Sequence, residues 1–89
     1  MAKRRNLKKA INEVCANLLV ELLAVKHNNP AIADADVENV ASSILMMQQD
    51  FLSRLSHVDK RQVNRFFQLL DDDLAVSTNE IIDHIFHLA

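Results

Sequence analysis

The chain contains no glycine, a single proline (Pro30), a single cysteine (Cys15), and neither tryptophan nor tyrosine. About six glycines would be usual at this length, given a typical frequency of ~7%. Glycine supplies the positive-φ conformations of tight hairpins, phosphate loops and strained catalytic turns. Its absence argues against hairpin-linked sheets and leaves a succession of helices as the default. One cysteine excludes an intramolecular disulfide and fits a reducing, cytoplasmic compartment. No apolar run reaches the ~18 residues of a membrane-spanning helix. The basic start followed by apolar residues has the outline of a secretory leader, but Glu13, Asn17 and Glu21 interrupt it and no small-residue cleavage site follows. The only aromatics are four phenylalanines, so aliphatic packing carries the core and the Trp and Tyr anchors of many binding hot spots are missing.

What is present is apolar and unevenly charged. Hydrophobic residues make up 49% of the chain. A domain of this size buries only roughly 60% of its unfolded surface, so a dense core or an apolar partner is needed for stability. The net charge is −2, yet Lys3, Arg4, Arg5, Lys8 and Lys9 are five of the ten basic residues. From Ala10 onward, five basic side chains face twelve acidic ones, a net of −7. This polarity directs a basic end toward something acidic: nucleic acid, a lipid surface or a second copy.

Helical periodicity predicts an all-α fold, a small antiparallel bundle of about four helices over residues 7–28, 35–56, 59–74 and 78–88. A basic arm (1–6) precedes a single helical domain (7–89). Asn6 is placed to cap the first helix, whose inner face is Leu7, Ile11, Val14, Cys15, Leu18, Leu22 and Val25. Pro30 ends it. Asp34 or Asp36 caps the second, lined by Val37, Val40, Ala41, Ile44, Leu45, Phe51, Leu52 and Leu55. The third starts at Ser56 or Asp59, with Val63, Phe66, Phe67, Leu70 and Leu74 inward. The three carboxylates Asp71, Asp72 and Asp73 oppose the dipole of a helix end and are expected to close it near Leu74. Ser77 and Glu80 have capping-box spacing, with Val76 and Ile81 as a hydrophobic staple, and so open a fourth helix carrying Ile81, Ile82, Ile85 and Phe86 inward.

Few residues carry chemistry. Glu80, Asp83, His84 and His87 have metal-ligand types at helical spacing but lie opposite the apolar face, toward solvent. The Asp71–Asp73 run lacks the glycine of a calcium loop and places Ile82 where the bidentate glutamate belongs. Cys15 falls on the inner stripe as a small hydrophobe. No serine has a nucleophile-elbow context. No catalytic, metal or cofactor site is predicted, and the chain reads as non-enzymatic.

Surface features remain. Ala16, Leu19, Val20 and Leu23 form a second apolar stripe on the first helix, predicted to pack on another subunit, most simply in a homodimer. The alternative is a nucleic-acid-binding protein that uses Lys3, Arg4, Arg5, Lys8 and Lys9, helped by Arg61 and Arg65 on the third helix. An anionic membrane could also attract the basic arm and first helix, but burial of the inner face in the bundle competes with it. Gln48, within the second helix's apolar face, needs a partner: a backbone carbonyl, or a polar group that pins an interface. The opening Lys3-Arg4-Arg5-Asn6-Leu7-Lys8-Lys9, with Ile11-Asn12 and Val14-Cys15, resembles the start of small all-helical bacterial proteins without assigned activity. The resemblance spans about the first quarter and implies a cytoplasmic bacterial origin and no functional residue.

Overall fold

Among the described residues three helices form, not four. The computed structural model describes residues 2–58 and 61–88, with side chains from Arg4 onward. In chain order these are α1 (Ala2–Asn28), α2 (Asp34–Leu55) and α3 (Val63–Leu88), packed into a rod of 50 × 17 × 15 Å. α1 packs most extensively on α2 and least on α3.

The buried line of each helix explains the bundle. On α1 it is Ile11, Cys15, Leu18 and Leu22, alternating steps of four and three residues. On α2 it is Val40, Ile44, Met47, Phe51 and Leu55. That stepping keeps side chains on one face and suits helices packed at shallow angles. Two residues of α2 exchange the roles expected of them: Met47 is 8% exposed, whereas Leu45 is 48% exposed. Leu45 is adjacent in sequence to Ile44 and so lies about 100° round the helix, off the buried line.

The third and fourth expected helices are one. On α3, Leu70, Leu74, Ile81 and Ile85 are buried, and the seven-residue step from Leu74 to Ile81 is two helical turns with no change of phase. Ser77 and Thr78 fill that gap, half-buried inside the helix. The Ser77–Glu80 capping box is therefore not a cap, and Val76 is an exposed mid-helix residue rather than a staple. Neither glycine nor proline interrupts the segment, and the orphan N–H groups that a cap would serve do not exist there. Asp71, Asp72 and Asp73 sit well inside α3, so they meet no helix end. Asp73 accepts a 2.8 Å bond from Arg54 of α2, and the Arg54 guanidinium lies 5.0 Å from the Phe51 ring centre. Phe86, expected inward, is 66% exposed, and Val63 is also exposed.

Other boundaries shift for local reasons. α1 already begins at Ala2, so the expected arm is the opening of a helix and Asn6 caps nothing. Ala33, in extended conformation, precedes α2 without a side-chain cap. Asp34 and Asp36 instead occupy its first turn, where negative charge favours the dipole. Ser56 closes α2 rather than opening α3: its hydroxyl donates to the Ser53 carbonyl at 2.7 Å, as does His57 Nδ1 at 2.8 Å. The other expected start of the third helix, Asp59, lies outside the described residues.

The α1–α2 connection turns without any positive φ among the described residues. Pro30 sits in it, and Lys26 fastens it. The Lys26 ammonium donates to the Pro30 carbonyl at 3.0 Å and to the Ile32 carbonyl, and lies 3.2 Å from the Asp34 carboxylate. A lysine in the last turn thus ties down carbonyls of the connection beyond the helix end.

Continuity of α3 gives a sharp expectation. Val76→Pro should cost about 3 kcal/mol or more, the cost of proline inside a helix, while Ser77→Ala should change stability by less than about 0.5 kcal/mol because no cap is lost. Urea denaturation of both variants measures the two values; a helix break near residue 76 would reverse their order.

Candidate interaction surface

Among the described residues, two polar links hold α1 against α2. Gln48 Nε2 donates to Asn12 Oδ1 at 2.9 Å, and Lys26 pairs with Asp34. The links are fourteen residues apart on both helices, running in opposite directions, so α1 and α2 are antiparallel and keep a common register over two heptads. Gln48 is satisfied by a side chain of α1 rather than by a backbone carbonyl. Midway between the links, Leu19 of α1 stands level with Ala41 of α2.

The second stripe of α1 lies on this outer side. Val20 is 66% and Leu23 63% exposed, and Ala16 is exposed beside them. Leu19 is only partly buried against the core. The register adds Leu45, which is exposed and lies near the level of Ala16. The surface is thus an apolar strip across two helices, bounded by the Asn12–Gln48 and Lys26–Asp34 links. Single exposed hydrophobics are ordinary, but adjoining ones mark contact sites. Met46, Leu69, Val76 and Phe86 are also exposed; they lie on other faces of α2 and α3.

The basic residues divide. Arg4, Arg5 and Lys8 line a shallow groove with Leu52, Leu55 and Ser56. Cations at the start of α1 oppose its own dipole, but across this groove they meet the last turn of α2, whose carbonyls favour positive charge. Lys9 lies outside the groove, 4.0 Å from the exposed Glu13 carboxylate, a distance and exposure at which an ion pair contributes little. The Lys3 side chain lies outside the described residues. Arg5, Lys8, Lys9, Asn12, Glu13 and Ala16 border one depression, so the basic end, with one carboxylate in it, runs directly into the apolar strip. Arg61 and Arg65 are exposed near and within the start of α3.

Other chemistry-bearing residues stay apart. Among the described residues no cluster of three or more His, Cys, Asp or Glu side chains could hold a metal ion. Glu80, Asp83, His84 and His87 are exposed, and His87 Nδ1 bonds the Asp83 carbonyl of its own helix. Thr78 Oγ1 is buried without a hydrogen-bond partner, at the edge of a groove between α1 and α3 that Val14, Leu18, Ile82 and Phe86 also line. Among the described residues, no helix is long and apolar enough to cross a membrane. Compared with protein-family models, curated proteins and solved structures, the chain matches none, and its surface alone carries the functional reading.

Cys15 is 1% exposed, and burial pushes its thiol above the ordinary range by disfavouring the thiolate. The folded thiol therefore ionises at higher pH than the unfolded one. Its contribution to stability is complete below the ordinary thiol value of 9.0 and is lost as pH rises through the folded value. Thiol-reagent labelling should be slow in the native state and accelerate in urea, and Cys15→Ala should remove part of the stability loss above about pH 9.

The Asn12–Gln48 link is measurable by a double-mutant cycle. Asn12→Ala and Gln48→Ala should show a coupling of about 0.5–1.5 kcal/mol in urea denaturation; additive effects would mean that the two amides do not hold the register.

Proposed function

We propose that this is a small non-enzymatic protein that acts by protein–protein contact, as a homodimer joined through the α1–α2 outer strip. One observation carries this reading: Val20 and Leu23 are mostly exposed on the helix whose opposite face is the centre of the core, and Ala16, Leu19 and Leu45 extend the apolar surface around them. A two-fold interface uses the same patch twice, so one strip suffices. Covering it also adds apolar burial to a domain short of it. The lone buried cysteine suits a reducing cytoplasmic setting.

Polyanion binding at the basic end is the alternative. It is supported by Arg4, Arg5 and Lys8 sharing one groove with no ion pair among the described residues. The acidic remainder of the chain and the α2 carbonyls beside these cations count against it.

Val20→Glu with Leu23→Glu should halve the mass seen by sedimentation velocity at micromolar concentration while leaving far-UV circular dichroism unchanged. Met46→Glu, exposed on another face, should leave the mass alone. A wild-type monomer under these conditions would overturn the dimer, and salt-sensitive retention on heparin by that monomer would favour the alternative.

A further inference from the structure

We infer, resting on the dimer reading above, that the second copy packs with its helices antiparallel to those of the first, about a two-fold axis passing near Leu19, so that each basic end lies over the other copy's acidic end. The register supplies the geometry. Leu19 and Ala41 lie midway between the Asn12–Gln48 and Lys26–Asp34 links, so a two-fold axis there brings each link over the other copy's opposite link. The strip itself, from Leu45 and Ala16 to Leu23, is centred on the same level.

The charges distinguish the orientations. Arg5, Lys8 and Lys9 occupy one end of this outer side, continuous with Ala16. At the other end, Asp34 and Glu38 continue the α2 stripe of Ala41 and Leu45 at steps of four and three. Two charges act against the trend, Glu13 beside Lys9 at the basic end and Lys26 beside Asp34 at the acidic end; with both counted, the basic end keeps a net positive charge and the acidic end a net negative one. A parallel pair would set basic end on basic end and acidic on acidic, which costs association free energy and steers copies apart. The antiparallel pair sets opposite charges together at both ends, and Lys9 falls within about 5 Å, along the helix axis, of Asp34 in the second copy.

Cross-linking tests the orientation separately from the dimer. Lys9→Cys and Asp34→Cys proteins are prepared singly, then mixed in equal amounts and treated with a short bis-maleimide; buried Cys15 is shielded from the reagent. The mixture should give a covalent dimer, and each protein alone should not, because the antiparallel arrangement separates two copies of position 9 by about 30 Å along the axis. Efficient self-cross-linking of Lys9→Cys alone would overturn the antiparallel orientation and leave the dimer standing. Covalent dimer absent from every sample, with both variants still sedimenting as dimers, would place the interface elsewhere. Monomers throughout would remove the dimer itself.

Discussion

The structure depends on one constraint: three apolar lines must stay in phase over the full length of the rod. Steps of three and four residues keep Ile11 to Leu22, Val40 to Leu55 and Leu70 to Ile85 facing a common axis. Aliphatic side chains do most of this packing, with Phe51 the only phenylalanine fully within the core. Apolar contact is non-directional and does not by itself choose a register. Directional polar contacts at the margins do so: Asn12 with Gln48, Lys26 with the connection and Asp34, and Arg54 with Asp73. The Asn12–Gln48 pair is partly buried, whereas Asp34 and the Arg54–Asp73 pair are open to solvent and contribute less.

The missing glycines acquire a specific structural counterpart in Lys26. Without a left-handed residue to reverse the chain after α1, the connection runs through Pro30 and is tied down by an ammonium group that gathers two carbonyls and a carboxylate. Here the turn and the last turn of α1 form one unit, which also sets where α2 begins and hence the level of every residue along it.

Charge and apolarity are sorted along the α1–α2 side in a way that neither helix shows alone. Basic side chains gather at the start of α1, against the end of α2; carboxylates gather at the start of α2, against the end of α1. Antiparallel packing thus turns two helix ends of opposite charge into a long surface with a positive pole, an apolar middle and a negative pole. The dipole of α2 supports the arrangement, since the cations lie by its negative end and the carboxylates at its positive one, whereas the dipole of α1 opposes the cations at its start. Such a surface is complementary to its own inverted copy.

Much of this was readable in order along the chain. The absence of glycine and the periodicity of Ile11, Cys15, Leu18 and Leu22 determine that the fold is helical and which side of the first helix faces in. The stripe of Ala16, Leu19, Val20 and Leu23 is visible in the same pattern. Local signals misled where two structures satisfy them equally: Ser77 and Glu80 look like a cap, yet the step from Leu74 to Ile81 lets one helix pass through them, and packing of the continuous face decides between the two. Leu45 and Met47 are both apolar and two residues apart, and Met47 rather than Leu45 fits the stepping from Ile44 to Phe51. The pairing of Asn12 with Gln48 spans thirty-six residues and leaves no trace in local sequence. The sequence alone therefore determined helix content and the inward side of each apolar repeat, because these follow from spacing along a single helix. The tertiary structure decided helix number, register and the shape of the exposed strip, because these follow from contacts between helices.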